Sequence, residues 1–186
     1  MPPETEHELR AGVTFILGGA RSGKSAFAEQ MVLASGLKPV YLATGQAWDG
    51  EMENRISLHR ARRGPSWKTV EAPLQLSQAI DAEATGGNAI LVDCLTLWIT
   101  NLMMAEADIA GEVEALAMML ATVNDPVVVV SNETGLGIVP DNAMARAFRD
   151  HAGLANQRMA AVAQTVWFVA AGLPLLMKKT TETQEK

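Results

Sequence analysis

Val13 to Ala34 reads VTFILGGARSGKSAFAEQMVLA, and this stretch decides the fold. An apolar run, Val13 to Leu17, has the length of a buried strand. It gives way without a linker to Gly18-Gly19-Ala20-Arg21-Ser22-Gly23-Lys24-Ser25, which satisfies G-x-x-x-x-G-K-[ST] in full. Ala26 to Ala34 then has the composition of a helix. Strand, glycine-rich turn and helix in that order are the context in which the motif cradles phosphate. The glycines let the backbone curl so that its N–H groups face the ligand, and the helix N-terminus adds partial positive charge. Lys24 is placed for the β- and γ-phosphates and the Ser25 hydroxyl for Mg²⁺. Arg21 reads equally as a phosphate contact and as a solvated loop residue.

Further along, short apolar runs alternate with helical patterns. Pro39–Ala43, Lys68–Glu71, Asn88–Val92, Pro126–Val130 and Thr165–Ala170 read as strands. Gly50–Arg63, Leu74–Glu83, Thr96–Val123 and Asp141–Ala163 read as helices. Strands with no polar alternation need cover on both faces. The expectation is an α/β domain of the P-loop NTPase class, a mostly parallel sheet with helices on both faces. Such sheets bind ligands outside the carboxyl ends of their strands. Chemistry is therefore expected after Leu17, Ala43, Val92 and Val130.

Asp93 closes the Asn88–Val92 run, where a P-loop enzyme holds Mg²⁺ with an acidic side chain. The alternative is an Asp that caps the following helix. Thr44-Gly45-Gln46 follows the second strand and reads as a ligand loop or a plain turn. Glu71 reads as a ribose or base acceptor, or as surface. Ser131-Asn132-Glu133 leads into Gly135-Leu136-Gly137, a loop able to move over a substrate. The segment DGEMENRISLHRARR, Asp49 to Arg63, sets Met52, Ile56, His59 and Arg63 on one side of a helix. His59 there lies among arginines, a setting that suits a polyphosphate. A neutral imidazole can attack phosphorus and carry it covalently. An idle His on a solvated basic face fits the same pattern. The methionines and tryptophans read as core.

With 186 residues, 48% hydrophobic and 19% charged, the chain is expected to form a single domain over 1–186, with residues 1–10 and 179–186 frayed. A formal net charge of -6 argues against nucleic acid as the main partner. Cys94 is the only cysteine, in keeping with a reducing cytoplasm. Met1 to Glu8 lacks the pattern of a signal peptide, and no apolar run approaches the roughly 20 residues of a membrane span.

Together these blocks resemble the bifunctional adenosylcobinamide kinase / adenosylcobinamide-phosphate guanylyltransferase family of cobalamin biosynthesis. The likeness runs from about Val13 to Lys178. It is carried by GGARSGKS, D-G-E-M-x-x-R-I-x-x-H (Asp49 to His59), W-K-T-V-E-A-P (Trp67 to Pro73) and L-V-D-C (Leu91 to Cys94). Its longest block is SNETGLGIVPDNAMARAFRDHAGLANQRMA, Ser131 to Ala160. The resemblance implies a RecA-like sheet, a homotrimer and two reactions. A hydroxyl of adenosylcobinamide takes the γ-phosphate of ATP or GTP. A histidine then takes GMP from GTP and passes it to adenosylcobinamide phosphate. It implies His59 as the guanylylated residue. Nucleotide contacts fall at Gly18 to Ser25, Thr44, Gly45, Gln46, Ala61, Arg62, Arg63, Gly64, Glu71 and Asp93, with Mg²⁺ held by Ser25 and Asp93. His59 must come within about 3–3.5 Å of the α-phosphorus, which is expected to need an inward swing of its helix. Thr134 and Gln164 stand where the family pattern leads one to expect Val and Asp. The rival readings are a P-loop kinase of another small molecule and a nucleotide switch without transfer chemistry.

Overall fold

The computed structural model describes residues 8–46 and 64–180. Seven strands form one sheet: β1 Gly12–Gly18, β2 Lys38–Ala43, β3 Lys68–Glu71, β4 Asn88–Asp93, β5 Pro126–Asn132, β6 Thr165–Ala170 and β7 Leu173–Lys179. Their order across the sheet is β3-β2-β4-β5-β1-β6-β7. All neighbours are parallel except β6 and β7. Among the described residues, five helices connect them: α1 Lys24–Ala34, α2 Leu76–Glu83, α3 Leu95–Met104, α4 Ile109–Leu120 and α5 Ala143–Val162.

Alternate residues of each central strand feed opposite cores. Val13, Phe15 and Leu17 of β1, with Val127 and Val129 of β5, pack under α2 to α5. Ile16, Val128 and Val130 pack under α1 with Met31 and Val32. Both faces are dry, which is why these strands carry no polar alternation. Trp98 sits fully buried in the first core, and Trp67 and Trp167 in the second, as expected of core tryptophans.

Two expectations need correction. The run Thr96–Val123 is two helices. Glu106 adopts a left-handed φ of 51°, and the Asp108 carboxylate then caps α4 by accepting from Gly111 N at 3.1 Å. The apolar periodicity continues across the break, so the pattern alone conceals it. The chain also returns after β6. Ala171 and Gly172, with φ of 52° and 79°, make a two-residue reversal of the kind that joins antiparallel strands. It leads into β7, a strand absent from the sequence reading and ending at Lys179.

Because β1 to β5 run in one direction, their carboxyl ends share one edge. Along it Glu71 pairs with Ala43, Ala43 with Asp93, Asp93 with Val130, and Gly18 with Asn132. The phosphate-loop strand β1 and the Asp93 strand β4 are separated by β5. That intervening strand is the RecA-like arrangement of a P-loop NTPase fold.

Candidate active site

The loop after β1 is shaped by close backbone approaches. A Cβ on Gly18 would lie 2.5 Å from Val169 O and from Ser22 Oγ, so only glycine fits. Gly23 has a φ of 97°, which L-residues avoid. Ser22 N donates to Gly19 O at 3.2 Å, and Gly172 N donates to Ser22 O at 2.8 Å. The β6–β7 reversal thus props the phosphate loop from behind. Arg21 holds a left-handed φ of 57° and points into solvent beside exposed Ala20. Among the described residues, the buried Ser22 Oγ has no hydrogen-bond partner.

Lys24 begins α1 and is only 8% exposed. Its ammonium donates to Gly19 O at 3.1 Å, bridging the loop. Burial pushes its pKa down, partly offset by electrostatic interaction with Cys94 and with the Asp93 carboxylate. The lysine is therefore electrostatically coupled to the end of β4, although β5 intervenes. Asp93 is half-buried, and its Oδ2 accepts from the Tyr41 hydroxyl at 3.2 Å. It does not cap α3: the cap position is Cys94, whose side chain makes no capping bond. The Asp93–Cys94 peptide is cis. Half-buried Ser25 in the first turn of α1 and Asp93 supply hard oxygen donors, the kind Mg²⁺ takes beside phosphate oxygens.

Cys94 leads from the carboxylate into a buried polar clip. Thr44 Oγ1 accepts from Cys94 N and donates to Cys94 O, both at 2.8 Å. Asn101 Nδ2 donates to Thr44 O at 2.7 Å and to Pro73 O at 2.9 Å. The clip ties the ends of β2, β3 and β4 together. Thr44 is fully buried with both oxygens bonded, and half-buried Gly45 and Gln46 follow it at the end of β2. The Cys94 thiol is pushed up to about 11 by burial and by the Asp93 charge. Its Sγ lies 3.1 Å from Thr96 Oγ1, which accepts from Asn132 Nδ2 at 2.9 Å.

The structure brings together Gly18 to Ser25 and Asp93. Exposed Glu71 lies on the same edge, two strand spacings or about 10 Å from Asp93. Exposed Gly64 has a φ of 74°. His59, Ala61, Arg62 and Arg63, with the helix expected over Gly50–Arg63, lie outside the described residues. Trp67, shortly after them, is buried edge-on against Tyr41, with ring centroids 6.2 Å apart. Tyr41, Asn101, Thr96 and Gly172 were missed by sequence reasoning. Each acts through a contact at least 28 residues away in sequence, apart from the short Cys94–Thr96 step, and carries no local signature.

Residues 14–177 match the family described as cobinamide kinase / cobinamide phosphate guanyltransferase. The bifunctional adenosylcobalamin biosynthesis protein CobP of Pseudomonas aeruginosa is 48% identical over 165 residues, covering 88% of this chain and 95% of that protein. The bifunctional adenosylcobalamin biosynthesis protein CobU of Salmonella typhimurium is 39% identical over 178 residues, covering 88% and 98%. Among solved structures, the flagellar accessory protein FlaH of Methanocaldococcus jannaschii aligns with a TM-score of 0.50 at 11% identity, over 93% of this chain and 80% of that one. A Pyrococcus horikoshii protein aligns with a TM-score of 0.54 at 7% identity, over 93% and 89%. At such identities the structural likeness concerns the fold alone.

Proposed function

The chain belongs to the cobinamide kinase / cobinamide phosphate guanyltransferase family, and from that premise we propose that it carries out both family reactions. It phosphorylates a hydroxyl of adenosylcobinamide from ATP or GTP. It then transfers GMP from GTP, through His59, to adenosylcobinamide phosphate, giving adenosylcobinamide-GDP and pyrophosphate. The observation that carries the reading is the phosphate loop, with buried Lys24 coupled to Asp93 across β5.

In this account the amides of Gly19 to Lys24 and the Lys24 ammonium hold the triphosphate and stabilise the charge that develops as a phosphate bond breaks. Ser22 Oγ, which lacks a partner among the described residues, donates to a phosphate oxygen. Ser25 and Asp93 would hold Mg²⁺, and the Tyr41 hydroxyl fixes one oxygen of the Asp93 carboxylate. Bound Mg²⁺ supplies charge neutralisation on the phosphate oxygens. Gly45, Gln46, Ala61, Arg62, Arg63, Gly64 and Glu71 contact the nucleotide, and His59 Nε2 or Nδ1 attacks the α-phosphorus of GTP.

In this proposal the chain works in the cytoplasm as a single domain that assembles into a homotrimer. Support for assembly comes from the edge strand β7, where Leu173, Leu175 and Met177 are exposed. An apolar, unpaired sheet edge is a surface that proteins normally cover. No helix among the described residues is long and apolar enough to cross a membrane.

The test supplies adenosylcobinamide, Mg²⁺ and ATP labelled at the γ-phosphate, followed by GTP labelled at the α-phosphate. The expected result is stepwise entry of each label into the corrinoid. Nucleotide binding with no label in the corrinoid would favour a kinase of another acceptor or a switch.

A further inference from the structure

We propose that Glu133 is the base that takes the proton from the acceptor hydroxyl in the kinase step; the inference rests on the function proposed above. β5 lies between β1, whose loop is the proposed triphosphate cradle, and β4, which ends at Asp93, the proposed metal ligand. A triphosphate held at one and bridged to the other ends over the carboxyl end of β5. Ser131, Asn132 and Glu133 are the residues there.

Two of the three are engaged elsewhere. Ser131 Oγ donates to Asn156 Oδ1 at 2.7 Å, and Asn132 Nδ2 donates to Thr96 Oγ1. Glu133 N donates to Gly18 O at 3.0 Å, which fastens this residue to the first residue of the phosphate loop. Its Oε1 accepts from Gly135 N at 2.6 Å, which fixes the orientation of the carboxylate. Among the described residues nothing donates to Oε2. The other described carboxylates at the strand ends are placed for other work. Asp93 is the metal-facing group, and Glu71 on β3 stands four strand spacings, about 19 Å, from β1.

The step balances as follows. The acceptor oxygen forms a bond to the γ-phosphorus while its proton passes to Glu133 Oε2. The bond from the γ-phosphorus to the bridging oxygen breaks, and its electron pair leaves on the β-phosphate of ADP or GDP. The second reaction starts from an acceptor already phosphorylated, whose phosphate oxygen needs no base. Glu133 therefore serves one half of the chemistry and not the other.

The experiment compares the full chain with Glu133→Gln, which keeps the bond to Gly135 N. Three quantities are measured: phosphorylation of adenosylcobinamide against pH, GMP transfer to adenosylcobinamide phosphate, and the Kd for Mg-ATP. General-base loss predicts a fall in the kinase kcat of about 10²- to 10⁴-fold and loss of the acid limb of its pH profile. GMP transfer and the Kd are expected to stay within about threefold of the parent, since neither needs that base. A parent that phosphorylates, beside a Glu133→Gln chain that does so comparably or loses both reactions equally, overturns this inference alone. A parent with neither activity overturns the proposed function and this inference with it.

Discussion

Thr44→Val tests the clip that sets the end of β4. The two side chains have nearly the same shape, so the change removes a hydroxyl and little else. Thr44 is fully buried, and its Oγ1 makes two 2.8 Å bonds to Cys94, one accepted and one donated. In the variant the buried Cys94 N–H has no partner, which costs about 1–3 kcal/mol. Cys94 O keeps the Trp98 amide at 3.3 Å and loses one bond, about 1 kcal/mol. The sum is a destabilisation of about 2–4 kcal/mol, or roughly 5–15 °C in Tm for a chain of this size. Thr44→Ser keeps both bonds and loses one buried methyl, about 1 kcal/mol. Urea unfolding followed by tryptophan fluorescence measures both variants, and the m-value is expected to stay at the parent value. Because Cys94 follows Asp93, Thr44→Val is also expected to weaken Mg-nucleotide binding more than metal-free binding. A Thr44→Val chain within about 0.5 kcal/mol of the parent, or a Thr44→Ser chain equally damaged, would refute the reasoning.

The remaining predictions concern the charges and the loop. Cys94 holds its proton up to about pH 11 in the folded chain, above the ordinary thiol value. Between those two values the folded state binds the extra proton, so stability falls as pH rises, by up to roughly 3 kcal/mol, and a Cys94→Ala chain lacks that fall. Ultraviolet titration of the thiolate gives the pKa directly. Lys24 has a lowered pKa because it is buried, so its charge costs stability below the folded pKa, and the cost fades as pH rises toward the unfolded value. Lys24→Met is therefore expected to unfold at higher urea at neutral pH while binding nucleotide about 10- to 100-fold more weakly, the loss of a charged hydrogen bond. Calorimetry of the parent in buffers of different ionisation enthalpy is expected to show proton uptake when a triphosphate binds near the lowered Lys24 pKa. Gly18→Ala forces a Cβ against Val169 O and Ser22 Oγ. Equilibrium dialysis is expected to show nucleotide binding lost, with about 1–3 kcal/mol of destabilisation in parallel unfolding.

What was legible in the sequence is what one stretch of chain encodes by itself. The phosphate loop is local: its glycines, lysine and serine need only the strand before and the helix after. The β1, β4 and β5 runs were legible because each is dry on both faces, and continuous apolar sequence records that burial. The break at Glu106 was hidden because apolar residues continue through α3 and α4 on the same period. β7 was hidden because its reversal uses Ala171 rather than a usual left-handed residue, and because its Leu and Met side chains are exposed. At the site, Asp93 was identifiable by its place at a strand end. Its partner Tyr41 was not, since a hydrogen bond between residues 52 positions apart leaves no trace in either neighbourhood. Thr44 shows the converse: its place after a strand end reads as a ligand loop or a plain turn, and nothing nearby in sequence marks its side chain as part of the clip.

The central claim is the covalent GMP on His59, and one labelling experiment addresses it. The protein and a His59→Ala variant are incubated with Mg²⁺ and GTP labelled at the α-phosphate. They are then denatured and washed in acid or alkali. The account predicts label on the parent that survives alkali and is lost in acid, as a histidine phosphoramidate is, and none on the variant. GTP binding without covalent label on the parent, or equal label on both chains, would contradict it.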